Sequence, residues 1–276
     1  MKTVCPVCPH HCAPEPGQLG FCRARRNVDG AVRCENYGRV TSLALDPIEK
    51  KPLRRFFPGS YILSVGSYGC NLRCPFCQNF EISMEGPGAR SMFLAPEQLA
   101  GKALELSRRP PGNLGAAFTY NEPLVGYEYV RDAAELVRRE GLKTVLVTNG
   151  MICSDPLEEL LPWIDAMNID LKGFSQRRYD ILSGDWETVR RTIRRSAVRC
   201  HVEVTTLIVP GENDTEEEMD AEAAWLSSLN PELPLHISRF FPRYRMTDRP
   251  PTPVETIELL CRTARKHLRY VYAGNC

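Results

Sequence analysis

Three cysteines in one short loop are the residues of this chain best suited to chemistry. Cys70, Cys74 and Cys77 follow the spacing C-x3-C-x2-C within residues 69–80, GCNLRCPFCQNF. Thiolates are soft ligands that suit zinc or iron–sulfur clusters. A structural zinc site is closed by four ligands, whereas this loop supplies three. The spacing therefore favours a four-iron cluster whose last iron can bind a substrate or cofactor, over a zinc site completed from elsewhere in the chain.

A second group of cysteines lies near the N-terminus, with the spacing C-x2-C-x3-C-x9-C: Cys5, Cys8, Cys12 and Cys22. The chain has 12 cysteines in all, and in a reducing compartment clustered cysteines more often bind metal than form disulfides. Four thiolates in a loop-rich segment predict a closed structural metal site, with zinc as the default metal. A second iron–sulfur cluster and unmetallated surface thiols are the alternatives.

The composition is that of an ordinary globular protein. The chain has 276 residues, of which 43% are hydrophobic, and a formal net charge of +1. A near-neutral charge argues against broad capture of nucleic acid or anionic membranes. No apolar run is long enough to span a bilayer, and the N-terminus, MKTVCPVCPHHC, has no apolar segment of the kind found in signal peptides. We therefore expect a cytoplasmic protein without a membrane or nucleic-acid partner.

The elements that must position the three-cysteine loop alternate between strand and helix. Six apolar runs predict buried strands: residues 61–66, 114–118, 144–148, 166–171, 202–209 and 235–240. Helix signals lie between them, over 96–109, 124–140, 215–229 and 253–268. This order is typical of right-handed βαβ units with a parallel sheet. The sequence predicts an α/β fold, a partial (β/α)6 barrel over residues 60–276, preceded by a small Cys-rich metal-binding module over residues 1–59.

Polar residues end five of the six predicted strands, where α/β barrels carry their chemistry. The second strand is followed by Thr-Tyr-Asn121-Glu122-Pro and the third by Thr148-Asn149-Gly. Asp170 and Lys172 end the fourth strand, Thr205 and Thr206 lie in the fifth, and His236 lies in the sixth. A buried Asp–Lys pair without a ligand is an equal alternative for Asp170 and Lys172. His236 on its own is better explained as a satisfied core histidine than as a ligand.

A C-x3-C-x2-C loop after the first strand of a partial barrel resembles the radical SAM superfamily. In that superfamily the open iron chelates the amino and carboxylate groups of S-adenosylmethionine (SAM). Reductive cleavage then gives a 5′-deoxyadenosyl radical that abstracts a hydrogen atom. The resemblance implies a [4Fe-4S] cluster on Cys70, Cys74 and Cys77, with SAM as the second cofactor. We therefore expect an enzyme of this type, with an unknown substrate.

The resemblance also implies cofactor-binding residues. Phe76 corresponds to the aromatic residue near the adenine, and Glu122 to a carboxylate that accepts hydrogen bonds from the methionyl ammonium. The element Ile-Asp170-Leu-Lys172 resembles that of pyruvate formate-lyase activating enzymes, in which the lysine can meet the methionyl carboxylate. The full set of expected cofactor-binding residues is Phe76, Asn121, Glu122, Thr148, Asn149, Asp170, Lys172 and His236.

Two departures weaken the similarity to those activating enzymes. Val147 stands where they carry an Asp before Thr-Asn-Gly, and Thr205 stands where an Arg contacts the cofactor. Activation of a glycyl-radical enzyme is therefore an alternative function. A non-catalytic metal-binding scaffold for partner proteins is another, although clustered polar strand ends argue against it.

A closer resemblance runs along residues 5–275, to the radical SAM proteins of the AmmeMemoRadiSam system. The shared elements include CPHHC, GFCRARRN, DPIEKKPLRRFFPGS, TYNEP, NIDLKGF, VEVTTLIVPGEND and YVYAGN. The resemblance implies Memo-like and AMMECR-like partner proteins, together with a reductant such as flavodoxin or ferredoxin. Residues 46–53 (DPIEKKPL), here called the strap, are expected to join the N-terminal module to the barrel, with contact to the substrate as the alternative.

Overall fold

The apolar runs of the sequence form strands of one sheet, because such runs must be buried on both faces. The structure is a computed structural model that describes residues 3–276. In chain order its elements are β1 (Arg25–Val28), β2 (Ala31–Cys34), β3 (Arg39–Val40), β4 (Ser42–Pro47), β5 (Tyr61–Gly66), α1 (Phe80–Ser83), β6 (Met92–Phe93), α2 (Pro96–Ser107), β7 (Gly115–Phe118), α3 (Tyr127–Arg139), β8 (Lys143–Thr148), α4 (Ser154–Leu160), β9 (Ala166–Asp170), α5 (Gln176–Ile181), α6 (Trp186–Ala197), β10 (His201–Ile208), α7 (Glu216–Leu229), β11 (Leu235–Arg239), α8 (Val254–Ala264) and β12 (Val271–Gly274). Short 3-10 helices cover Ile48–Lys50, Pro123–Gly126 and Leu161–Trp163.

The main sheet has the strand order β12-β11-β10-β9-β8-β7-β5-β4. All neighbouring pairs are parallel except β4 with β5. The six predicted strands are all present, and the predicted α/β partial barrel is confirmed. Two further strands, β4 and β12, extend the sheet at its two edges. Their residues are mostly half-exposed, so they lack the continuous apolar run that marked the other strands.

The predicted boundary between residues 59 and 60 separates two strands that pair with each other. Strand β4 pairs antiparallel with β5, from Ser42 opposite Gly66 to Pro47 opposite Tyr61. An edge strand of the barrel sheet therefore comes from the segment assigned to the N-terminal module. The rest of that segment contains the β1–β2 hairpin, the two-residue strand β3 and irregular chain. The division into two domains stays a prediction.

Three of the four predicted helices begin at, or one residue from, the positions that their sequence signals indicate. Pro96 opens α2, and the hydroxyl of Thr215 accepts a hydrogen bond from the Glu218 N–H at 3.2 Å, which caps α7. The predicted helix 124–140 instead starts as the 3-10 turn Pro123–Gly126 before α3. The last helix, α8, ends at Ala264, four residues earlier than expected.

The hydrophobic core has a large cluster among the strands and helices and a smaller one towards the amino ends of the strands. In the smaller cluster, Ile48, Leu53 and Phe56 pack against Ile62 and Val145. The strap and the residues after it therefore cover one end of the barrel and leave the carboxyl ends of the strands for the site. No helix within residues 3–276 is both long and apolar enough to cross a membrane.

Candidate active site

A cavity of about 370 Å³ lies at the carboxyl ends of the parallel strands. This volume lies within the usual range of small-molecule sites. Loops after β5, β7, β8 and β9 supply one side of the wall, and the strap, β10 and β11 supply residues of the other. The predicted site residues that line it are Cys70, Cys74, Phe76, Cys77, Asn121, Glu122, Thr148, Asn149, Asp170 and Lys172.

The three thiols face the cavity from the loop after β5. The N–H of Leu72 donates to the Cys70 Sγ at 3.3 Å, and the Asn149 side-chain amide lies 3.7 Å from the same sulfur. Burial raises the pKa of Cys74 to about 11 and that of Cys70 well above its ordinary value. Buried thiols of this kind become good ligands when a metal displaces their protons.

Asn121 holds the backbone that leads into the cysteine loop. Its Oδ1 accepts a hydrogen bond from the Ser67 N–H at 2.9 Å, and its Nδ2 donates to the carbonyls of Tyr68 and Gly69, each at 3.1 Å. Both ends of the amide are therefore occupied. Asn121 reaches the cavity as expected, but its polar atoms position the loop ahead of Cys70.

Glu122 is a buried carboxylate aimed at the same cavity. Its Oε1 accepts hydrogen bonds from the Thr148 hydroxyl at 2.6 Å and the Leu124 N–H at 3.0 Å, and its Oε2 accepts one from the Asn149 N–H at 2.7 Å. Burial raises the pKa of Glu122 to about 7, although these donors pull it down. A cation that reaches this carboxylate would restore its negative charge.

Asp170 and Lys172 both line the cavity and pair with each other across 2.7 Å. Alternation along a strand puts residues two apart on the same side but does not say which side, and the structure places both in the cavity wall. Burial lowers the pKa of Lys172, but Asp170 and the neighbouring Cys74 outweigh it and raise the pKa above its ordinary value. The ammonium therefore stays charged beside the thiols.

Phe76 is buried among core residues beside the cavity. Its ring lies edge-on to Phe240, with centroids 6.4 Å apart, and the Arg178 guanidinium lies 5.5 Å from its centre. The position suits an aromatic wall, as the sequence predicted.

His236, predicted both as a satisfied core histidine and as a cofactor-binding residue, lies outside the residues that line the cavity. Its Nε2 lies 2.6 Å from Glu203 Oε2, and His201 lies 2.9 Å from the other oxygen of that carboxylate. The backbone N–H groups of Arg54 and Arg55 also donate to Glu203. His236 therefore belongs to a buried network near the amino end of β10, because it lies one residue into β11 and faces inward below the cavity.

Sequence reasoning missed several cavity residues, among them Lys50, Pro52, Tyr120, Ser238 and Asn275. The strap contributes two of them, so it covers the end of the barrel and also lines the site. Tyr120 has a φ of 72° and donates its hydroxyl to Asp46, which also pairs with the buried Lys51. The sequence signal for this part of the site was the adjacent pair Lys50 and Lys51, which follow Asp46 by four and five residues.

The four N-terminal cysteines lie behind the cysteine loop, outside the cavity. Cys5, Cys8 and Cys22 are buried, and none forms a disulfide. No three Cys, His, Asp or Glu side chains within residues 3–276 surround one point closely enough to hold a single metal ion. The structure therefore does not show a zinc site there.

Comparison with known proteins decides the family. The family description "Radical SAM superfamily" matches residues 64–224, more than half of the chain and the part that carries the cavity. The chain belongs to the radical SAM superfamily. It is also 40% identical to uncharacterized protein MJ0808 of Methanocaldococcus jannaschii, over 99% of this chain and 81% of that protein.

Solved radical SAM structures share the fold at low sequence identity. A domain of pyruvate-formate lyase-activating enzyme from Bacteroides vulgatus has a TM-score of 0.50 at 20% identity, and covers 58% of this chain and 99% of that one. SuiB of Streptococcus suis, solved with bound SAM, has a TM-score of 0.58 at 13% identity. The match covers 78% of this chain and 52% of SuiB. These likenesses establish the fold.

The residues of the cavity fit the cofactors that the superfamily implies. Three soft thiols meet the requirement of a four-iron cluster with one open iron. A buried carboxylate and a charged lysine face the same space, as an amino acid's ammonium and carboxylate groups would need. This donor set suits a [4Fe-4S] cluster and SAM together.

Proposed function

We propose that this radical SAM protein cleaves SAM reductively and uses the product radical to take a hydrogen atom from a substrate. The observation that carries the proposal is that Cys70, Cys74, Cys77 and the buried Glu122 face one cavity. When bound, the cluster supplies the electron that splits SAM into methionine and a 5′-deoxyadenosyl radical. The chain's own residues bind, orient and shield these groups.

Binding and orientation follow from the contacts around the cavity. Cys70, Cys74 and Cys77 would hold the cluster, and Leu72 and Asn149 orient the Cys70 sulfur. Glu122, itself fixed by three hydrogen bonds, would accept the methionyl ammonium. Lys172 would meet the methionyl carboxylate, at the cost of part of its pairing with Asp170.

Shielding and substrate binding fall to other residues that line the cavity. Pro52, Tyr120 and Val147 supply bulky surface there, which helps to exclude water from a reactive radical. Thr205 is engaged with the Asn168 side chain at 2.9 Å. Neither Val147 nor Thr205 offers the charged contact of a glycyl-radical activating enzyme, so a small-molecule or other substrate is favoured over activation of a glycyl-radical enzyme.

We further propose membership of the AmmeMemoRadiSam group, on the motifs shared along residues 5–275. Memo-like and AMMECR-like proteins would then be its partners, and a flavodoxin or ferredoxin its reductant. A cytoplasmic location suits such a protein, because a reducing compartment keeps thiolate ligands available.

The test is SAM cleavage by the reconstituted protein. The protein would be loaded anaerobically with iron and sulfide, reduced with dithionite and given SAM, and 5′-deoxyadenosine and methionine would be quantified. We expect both products, and their loss in Cys74→Ala. A matched control is Cys261→Ala, which removes a buried thiol of α8 and should cleave SAM as before. A fully loaded four-iron protein without product would instead favour a non-catalytic scaffold.

A further inference from the structure

The first 22 described residues bury thiols without a hydrophobic core of their own. Residues 3–24 contain no helix or strand, yet Cys5, Cys8 and Cys22 are 5%, 7% and 6% exposed. Cys22 and Ala24 pack in a small cluster with Tyr68 and Val125, whereas Cys5, Val7 and Cys8 belong to none of the hydrophobic clusters formed by the described residues. Apolar packing therefore holds only the end of this irregular segment, and small segments of this kind usually need a covalent or metal cross-link.

The four thiols of this segment are neighbours. The Cys5 N–H donates to the Cys12 carbonyl at 2.7 Å. Cys22 interacts electrostatically with Cys5 and Cys12, and Cys8 interacts with Cys22 and Cys5. Backbone N–H groups point at three of the sulfurs: Phe21 donates to Cys12 at 3.3 Å, and His10 and Ala24 donate to Cys8 and Cys22. At Cys8 and Cys22 these donors act against burial, which raises the pKa of Cys8 to about 12 and that of Cys22 to about 11.

The same segment is joined by hydrogen bonds to the loop that carries the three catalytic-site cysteines. The Cys70 N–H donates to the Cys22 carbonyl at 3.2 Å, and His10 Nε2 lies 2.8 Å from the Asn71 carbonyl. The Arg73 guanidinium lies 3.8 Å from the centre of the Phe21 ring and also donates to the Phe21 carbonyl. A change in the conformation of residues 3–24 would therefore reach Cys70 directly.

We propose that Cys5, Cys8, Cys12 and Cys22 bind a second, thiolate-ligated metal centre that fixes the loop of Cys70. Each thiol that binds zinc, or a cluster delivered already assembled, gives its proton to solvent, and no oxidation state changes. The shared chemistry is a soft metal with four sulfur ligands, either one zinc ion or an iron–sulfur cluster. The sulfurs do not surround a single-ion point in this structure, but neither do those of Cys70, Cys74 and Cys77. The N-terminal sulfurs are therefore no less closed around a metal than those of the proposed cluster site.

The experiment first removes the proposed cluster ligands of the cavity, so that any metal still bound must lie elsewhere in the chain. A triple variant, Cys70→Ala, Cys74→Ala and Cys77→Ala, would be purified anaerobically from cells supplied with iron and zinc. Zinc, iron and acid-labile sulfide would then be counted per chain. We expect about one zinc, or about four irons with four sulfides, to remain. Adding Cys8→Ser and Cys22→Ser should abolish this metal, whereas Cys200→Ser, outside the group, should leave it. A triple variant without metal, or metal that survives the added substitutions, overturns the proposal.

A separate measurement tests whether the metal fixes the cysteine loop. It compares one variant with and without its metal, so no further substitution can disturb the fold. Amide hydrogen exchange would be followed in the triple variant before and after the metal is removed with a chelator. We expect the amide at position 70, which donates to the Cys22 carbonyl, to exchange at least tenfold faster after removal. Unchanged exchange there would refute the role in fixing the loop. Because the triple variant lacks the cluster ligands, either result stands whether or not the protein cleaves SAM.

Discussion

Individual residues at the cavity divide into those that would touch a cofactor and those that position its ligands. Glu122 and Lys172 present charged atoms to the cavity. Asn121 uses its whole amide on the backbone of residues 67–69. Sequence patterns placed all three at one site, but only the hydrogen bonds separate the two roles.

Replacement of Glu122 tests the charged contact. In Glu122→Gln the carboxylate charge is lost while the size is kept, and hydrogen bonds to charged groups contribute about 1.5–3 kcal/mol. We expect the dissociation constant for SAM to rise about 10- to 100-fold, measured by equilibrium dialysis on the anaerobically reconstituted protein. Glu222→Gln, a buried glutamate outside the cavity, is the control. Equal SAM affinity in both variants would contradict the role of Glu122.

Glu222 itself should make stability depend on pH. It is 1% exposed and accepts a hydrogen bond from the Thr206 hydroxyl, and burial raises its pKa from 4.5 to about 8. Between about pH 5 and 8 the unfolded chain therefore loses this proton while the folded protein keeps it, so the free energy of unfolding falls as pH rises. Relative to wild type, the free energy of unfolding of Glu222→Gln should rise by up to about 1.4 kcal/mol for each pH unit in this range. Urea unfolding at several pH values measures this, and parallel curves would refute it.

At the scale of elements, the cysteine loop is held between the barrel and the N-terminal segment. Glycines allow the close approach of this loop to its neighbours. A Cβ at Gly66 would lie 2.8 Å from the Tyr120 ring, and one at Gly69 would lie 2.6 Å from the Cys22 carbonyl. The two glycines therefore fit the loop against its protein neighbours.

Gly69→Ala should separate the loop from the N-terminal segment. Gly69 has a φ of +89° and its new Cβ would also meet Ala24 at 2.9 Å, so both backbone strain and a clash oppose the substitution. We expect a loss of about 2–4 kcal/mol in the free energy of unfolding and a lower iron content after reconstitution. Chemical denaturation and iron analysis provide the two measurements.

Gly101→Ala is the matched control for that substitution. Gly101 lies in α2, and a Cβ there has open space around it. Alanine favours a helix interior by about 0.5–1 kcal/mol over glycine, so this variant should be slightly more stable with unchanged iron. If Gly69→Ala behaved like Gly101→Ala, the close packing of the cysteine loop would not matter.

The whole molecule depends on residues before the predicted barrel. Strand β4 pairs along β5, and Ile48, Leu53 and Phe56 are buried against the sheet. The strap also places Lys50 and Pro52 in the cavity wall. The N-terminal part therefore completes both the sheet and the site.

A chain of residues 60–276 should not fold stably. It loses β4 and three buried side chains, each contributing about 1.5–3 kcal/mol, from a total stability of about 5–15 kcal/mol. It would also expose the unpaired edge of β5. We expect aggregation on size-exclusion chromatography, whereas the full chain runs as a single species. A monomeric fragment with a cooperative thermal transition would instead support the boundary at residue 59.

The fold class, the six central strands and the grouping of three cysteines in one loop at the cavity all follow from the amino-acid sequence alone. Continuous apolar runs and capping signals are local, and the spacing of Cys70, Cys74 and Cys77 is fixed within one loop. These features need no knowledge of distant contacts. The same is true of Glu122 and Lys172, because parallel strands end at one edge of the sheet.

Three features of the site depend on contacts between residues that are far apart in the chain. His236 pairs with Glu203, Asn121 binds backbone rather than a ligand, and the strap enters the cavity wall. Each outcome depends on a partner tens of residues away in the chain. A buried polar side chain needs a hydrogen-bond partner, and that partner can be a cofactor or another buried protein group. Local pattern cannot distinguish the two, because the distance to the partner is set by the packed fold.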